Sequence, residues 1–165
     1  MTISASVSDG AILDALVAQG GMSGSIRTTV QKYAERWSCS YFQALLETGV
    51  VSETDIADIL ALIAHVPRLH GISSQDISSV VIGALPFDSA REIQAIPVAQ
   101  VEGSSKIEVA VANPLDAAAM ERLRREAKSE IVLAVGERSD IVSAIDGCYP
   151  LKDRWPSVWE CVKSQ

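Results

Sequence analysis

Aromatic residues are scarce: two Phe, three Tyr and three Trp stand among 165 residues. With 48% of the chain apolar, the core must therefore rest on Ala, Val, Ile and Leu. Cysteine is equally thin. Cys39, Cys148 and Cys161 are odd in number, far apart and without C-x-x-C spacing, which excludes a disulfide scaffold and a zinc ribbon and predicts reduced thiols, with Cys39 and Cys148 partly buried. No run of about twenty apolar residues exists, so no segment is expected to insert in a bilayer. The first nine residues lack the basic start and apolar centre of a signal peptide. A cytoplasmic location is the expectation. A basic excess is missing too: the formal net charge is -7, against the phosphate-neutralising surface of a nucleic-acid binder or an anionic-membrane binder.

Reactive constellations are also absent from the sequence. There is no G-x-x-x-x-G-K-[ST]; Gly103-Ser104-Ser105-Lys106 reads as a hairpin turn. His65 and His70 are five apart, which suits neither an H-E-x-x-H helix nor a zinc pair, and predicts helix-capping or solvent-facing roles. No Ser lies in a G-x-S-x-G elbow. The expectation is a non-enzyme with no cofactor and no metal.

What is present is a repeat. Asp14 to Ser23 matches Gln43 to Ser52 at an offset of 29 positions, pairing Leu16 with Leu45, Gly20 with Gly49, Ser23 with Ser52 and, further on, Val30 with Ile59. In the second copy an apolar helix carrying Leu45 and Leu46 runs into Gly49, where a left-handed helix end needs a residue without a Cβ. Val50 and Val51 are expected to enter the core. Ser52 then caps a helix whose Ile56, Ile59, Leu60 and Ile63 recur at helical spacing. The first copy is weaker, with Gly24 in its opening turn and Arg27 where Ile56 stands. Two readings stay open: a duplicated hairpin that only builds a helical bundle, or two equivalent turns forming one ligand surface.

The second half changes character. A loop at His70–Ser74, a helix from about Gln75 to Gly83 and one from Phe87 to about Ile93, with Pro86 in its first turn, are expected. Ile96–Val101 and Lys106–Ala112 read as strands around a Glu102–Ser105 turn, with Pro97 at a strand start or an edge. Asn113-Pro114-Leu115-Asp116 breaks the second strand and opens a helix to about Lys128. A strand Glu130–Val135 follows, then a helix Ser139–Cys148 burying Ile141, Val142, Ile145 and Tyr149. The fold class is α+β: a helical subdomain of two tandem helix-turn-helix repeats over residues 1–70, then a β-β-α-β-α subdomain with a three-stranded sheet over 71–150, then a tail over 151–165.

Several stretches carry a resemblance. Val111-Ala112-Asn113-Pro114-Leu115-Asp116 is similar to an "A-[ND]-P-x-D" strand-end signature. Ala84-Leu85-Pro86, Ile96-Pro97-Val98, Leu45 to Ser52 and the closing helix at Tyr149 fall in the same order and spacing. Together, from about Ala11 to Pro150, they resemble the N-terminal domain of the ATPases of type II secretion and type IV pilus assembly. The resemblance implies docking on the cytoplasmic part of a membrane platform or on a motor protein, and in a subset of pilus ATPases the binding of cyclic di-GMP by the tandem repeat. Leu16, Gly20, Leu45 and Gly49 occupy the later Leu and Gly positions of that nucleotide motif and are its candidate ligand residues. Its R-L-G opening, however, reads Ala11-Ile12-Leu13 and Ser40-Tyr41-Phe42 here. Both arginines and both opening glycines are missing, and Leu13 and Phe42 are expected to crowd a ligand.

Two further features are candidate partner surfaces. Arg122 and Arg125, with Arg124 and Lys128, lie in a mixed-sign helix that reads either as a solvated face with i, i+4 pairs or as contacts for an acidic partner. Trp155 and Trp159 flank Pro156 in the tail and read either as packing back on the domain or as docking anchors.

Overall fold

The computed structural model describes residues 7–155, 160 and 163. Trp159 and Cys161 lie outside the described residues.

Each repeat folds as its local chemistry dictates. Helix α1 (Val7–Ala18) buries Ile12, Leu13 and Leu16 and closes through the Gly21 N–H, which donates to the Leu16 carbonyl at 3.0 Å; Gly20 sits at φ 75°. Ser23 caps α2 (Gly24–Trp37), accepting from the Ile26 N–H. Helix α3 (Tyr41–Thr48) ends on Gly49 at φ 62°, whose N–H donates to the Leu45 carbonyl. Ser52 accepts from the Asp55 N–H at 3.1 Å to start α4 (Glu53–Ala64), and His65 ends it in the left-handed conformation. Both glycines therefore occupy the backbone region that the repeat requires. Val30 and Ile59, equivalent by the repeat, are both buried. Helix α1 packs on α3 and α4, and α2 on α3.

In the second half come α5 (Ser79–Ile82), α6 (Phe87–Ile93), β1 (Ala95–Gln100), β2 (Ile107–Val111), α7 (Ala117–Glu126), β3 (Ile131–Val135), α8 (Arg138–Cys148) and α9 (Leu151–Arg154). The sheet order is β1-β2-β3, antiparallel then parallel, with α7 as the crossover. Pro97 lies on edge strand β1 beside a bulge, where its missing N–H is tolerated. Asn113 Oδ1 accepts from the Leu115 N–H and Asp116 Oδ1 from the Ala119 N–H, so both side chains serve the strand-to-helix junction as expected.

The sheet is joined to the helical half by one rung. Val135 donates its N–H to the Pro67 carbonyl and accepts from the Leu69 N–H, both at 2.8 Å. Pro67 has no N–H, so it cannot extend this pairing toward Leu133. The buried apolar residues of the two halves form a single cluster.

Four expectations are corrected. The helix expected over 75–83 shrinks to Ser79–Ile82, because Ser73 accepts from the Gln75 N–H in a turn and Ser78 caps the helix, accepting from the Val80 N–H, so that it starts only there. Val50 and Val142 are exposed at 37% each; Val50 falls on the open side of the glycine turn and Val142 on the outer side of α8. Leu13 and Phe42 do not stand over the surface but are folded into the core.

Candidate functional site

The tandem turns present backbone. Gly20 and Gly49 are exposed, and a Cβ at either would meet nothing within 4 Å, so the space over both turns is open. Leu16 and Leu45 lie beneath them, 1% and 0% exposed, and anchor the helices from within. Anything resting on the turns would meet glycine backbone and helix ends. Arg27, at the position of Ile56 in the second repeat, bonds Asp14 at 2.6 Å and stays on the repeat's outer face.

Between the repeats lies a polar and aromatic patch. Tyr33 on α2 donates its hydroxyl to Glu47 Oε2 at 2.9 Å, and Gln43 donates to Glu47 Oε1 at 2.6 Å. These bonds hold the Glu47 carboxyl below its ordinary value, the Gln43 bond first, and raise Tyr33. One turn on, Trp37 is 61% exposed, with the Arg36 guanidinium 5.6 Å from its ring. No sequence signal marked Trp37, because a Trp at the end of an amphipathic helix reads equally well as core.

A second network was also invisible to sequence reasoning. Arg68, only 11% exposed in its side chain, bonds Asp58 of α4 at 2.8 Å and Glu137 at 2.9 Å, and donates to the Leu69 carbonyl. Thr54 donates to the same Glu137 carboxylate, and Glu53 accepts from the Ser139 N–H at the start of α8. The N-terminus of α8 is thus capped by the helical half.

The candidate arginines of α7 differ in their engagement. Arg122 bonds Glu126 at 2.8 Å and also Glu92 of α6, so it ties two helices together. Ser89, buried, donates to Glu126, and this bond, ahead of Arg122, lowers the Glu126 carboxyl. Arg124 and Arg125 are exposed. At the end of the described chain, Trp155 is 50% exposed against the Arg154 guanidinium, 4.8 Å from its ring. His65 is the α4 C-cap and His70 is exposed in the loop after it. Cys39 and Cys148 are half-buried, as expected. Among the described residues no helix is long and apolar enough to cross a membrane, and no three metal-ligating side chains converge.

A four-helix tandem array stitched to a small mixed sheet, with open glycine turns and a strand ending in Ala112-Asn113-Pro114, defines the class: an N-terminal domain of the kind found in secretion and pilus ATPases. The MshEN domain family model matches residues 65–155, more than half of the chain, and the chain belongs to that family. No curated protein matches it significantly. Among solved structures, MshE with cdg shares the fold at TM-score 0.69 and 20% identity, over 84% of this chain and 98% of that one. The N-terminal domain of XpsE does so at TM-score 0.70 and 20% identity, over 87% and 96%. The family match begins at residue 65, so α1 to α4 are joined to these proteins by fold and not by that sequence match.

Proposed function

We propose that the chain is a non-catalytic docking module of a type II secretion or type IV pilus machine. It would act on the cytoplasmic side of the membrane by binding a platform protein or a motor protein through its helical array. One observation carries this reading above nucleotide binding. The positions where the resemblance calls for arginine and glycine hold Ala11, Leu13, Ser40 and Phe42, with Leu13 and Phe42 in the core. Without the guanidinium forks, a bis-phosphate guanine ligand loses its bidentate partners. The same array presents a large exposed anchor of the kind that dominates protein interfaces, Trp37 backed by Arg36. The exposed Arg125 would extend such contacts and Arg122 would act by holding α7 in place, whereas Trp155 stands beside Arg154 and Phe87 in the second half of the chain.

The alternative is a cyclic di-GMP sensor. What favours it is the open space over two left-handed glycine turns, in a fold shared with the structure of MshE with cdg. In that case Gly20 and Gly49 give close backbone approach, and Leu16 and Leu45 fix the turns from below.

Calorimetric titration with cyclic di-GMP separates the two. Docking predicts no saturable heat at ligand concentrations of about 100 μM, where a micromolar site would be nearly full. It also predicts retention of the cytoplasmic part of a platform protein that Trp37→Ala weakens. Micromolar binding lost on Gly49→Val establishes the sensor instead.

A further inference from the structure

On a face separate from the tandem turns, a cleft of about 610 Å³ opens between α5, the start of α6 and the end of α8. Its floor is apolar, formed by Ile82, Leu85, Phe87 and Tyr149. The walls are fixed. Tyr149 donates its hydroxyl to the Leu85 carbonyl at 2.8 Å, its ring meets Phe87 at 5.5 Å between centroids, and the Lys128 N–H donates to the Ala84 carbonyl at 2.8 Å. The hollow therefore exists before anything enters it.

Two exposed apolar side chains stand near its lining residues. Val80 is 83% exposed on α5, next to the lining residue Ser79. Trp155 is 50% exposed, across the Arg154 guanidinium from Phe87. Around the hollow, Lys128, Asp88 and Asp153 are all exposed, and none of them makes an ion pair among the described residues. Exposed apolar side chains stand beside an apolar hollow, and exposed charges of both signs stand around it.

A two-fold interface must be complementary to itself, because the same patch supplies both sides. A basic or acidic partner would call for a rim of one sign. This rim carries both, together with hollow and protrusion. We propose that a second copy of this chain docks here across a two-fold axis. Val80 and Trp155 of each copy fill the other's cleft, and Lys128 of each meets the partner's Asp88 and the partner's Asp153.

The test is sedimentation of the full chain over a wide concentration range. A monomer–dimer equilibrium is expected, weakened roughly tenfold or more by Trp155→Ala and by Val80→Asp, as for buried apolar anchors. Charge exchange gives a sharper readout. Lys128→Glu alone, and Asp88→Lys with Asp153→Lys, each bring like charges together across the axis and weaken self-association. Mixed one to one, the two variants restore the dimer as a heterodimer, which also shows that both are folded. A chain that stays monomeric at near-millimolar concentration overturns the proposal and leaves the cleft to a different protein. A dimer indifferent to Val80→Asp, or mixed charge variants that fail to pair, overturns it as well.

Discussion

Replacing Arg68 with Met tests how far the two halves depend on one side chain. Met keeps most of the apolar stem and removes the guanidinium. The Glu137 partner is 23% exposed in its side chain and Arg68 11%, so this pair sits between the surface and buried limits. Losing it should cost about 2 kcal/mol, below the 3–5 of a fully buried pair because Thr54 still serves the orphaned carboxylate. The pair with Asp58, whose side chain is 52% exposed, adds about 0.5 kcal/mol. The total, about 2.5 kcal/mol, lowers the urea midpoint by roughly 1 M at a slope of about 2 kcal/mol/M. A double-mutant cycle with Glu137→Gln should return a coupling of at least about 1 kcal/mol. The Asp58 coupling should fade in high salt while the Glu137 coupling persists. A loss below about 0.5 kcal/mol for Arg68→Met, or additivity with Glu137→Gln, refutes the view that this arginine clamps the halves.

Three further outcomes follow from the geometry. Gly49→Ala should cost about 1 kcal/mol in urea unfolding, since φ is 62° and the added Cβ meets nothing; a stabilised variant contradicts this. Tyr149→Phe keeps the ring pair with Phe87 but strands the Leu85 carbonyl, so a loss of about 1–2 kcal/mol is expected by thermal or chemical melting. The Glu126 carboxyl is held below its ordinary value of 4.5 first by Ser89 and then by Arg122. A depressed folded-state value stabilises above the unfolded-chain value and is lost as the pH falls through the folded one. Ser89→Ala should therefore flatten the fall in urea midpoint below about pH 4.5, and an unchanged acid limb counts against the bond.

Much of the architecture could be read in advance because its signals are local. Gly20 and Gly49, Ser23 and Ser52, and Asn113 with Asp116 act on backbone a few residues away, so their roles follow from spacing alone. The strands were legible from short apolar runs between turn residues. What could not be read depends on partners far along the chain. Arg68 and Glu137 are 69 positions apart, and nothing near either one announces the pair. The loop ahead of α5 carries an apolar pattern compatible with helix, but Ser73 turns it at Gln75, Ser78 caps α5, and Ile72 and Ser74 lie close against Gly136 and Gly147, far along the chain. The two glycine turns of the candidate site were legible from their spacing. Which exposed aromatics surround them was not, because exposure is set by tertiary packing.

The lone rung at Val135 bears on how this protein can be divided. Pro67 to Leu69 lend the sheet a stub of fourth strand that ends where proline withholds its hydrogen. A scissile site engineered after residue 70 would carry that stub away with the helices and leave the Val135 amide and carbonyl facing water or a stranger's backbone. Separable pieces should instead part ahead of Val66, so that whichever fragment inherits the sheet also inherits its selvedge.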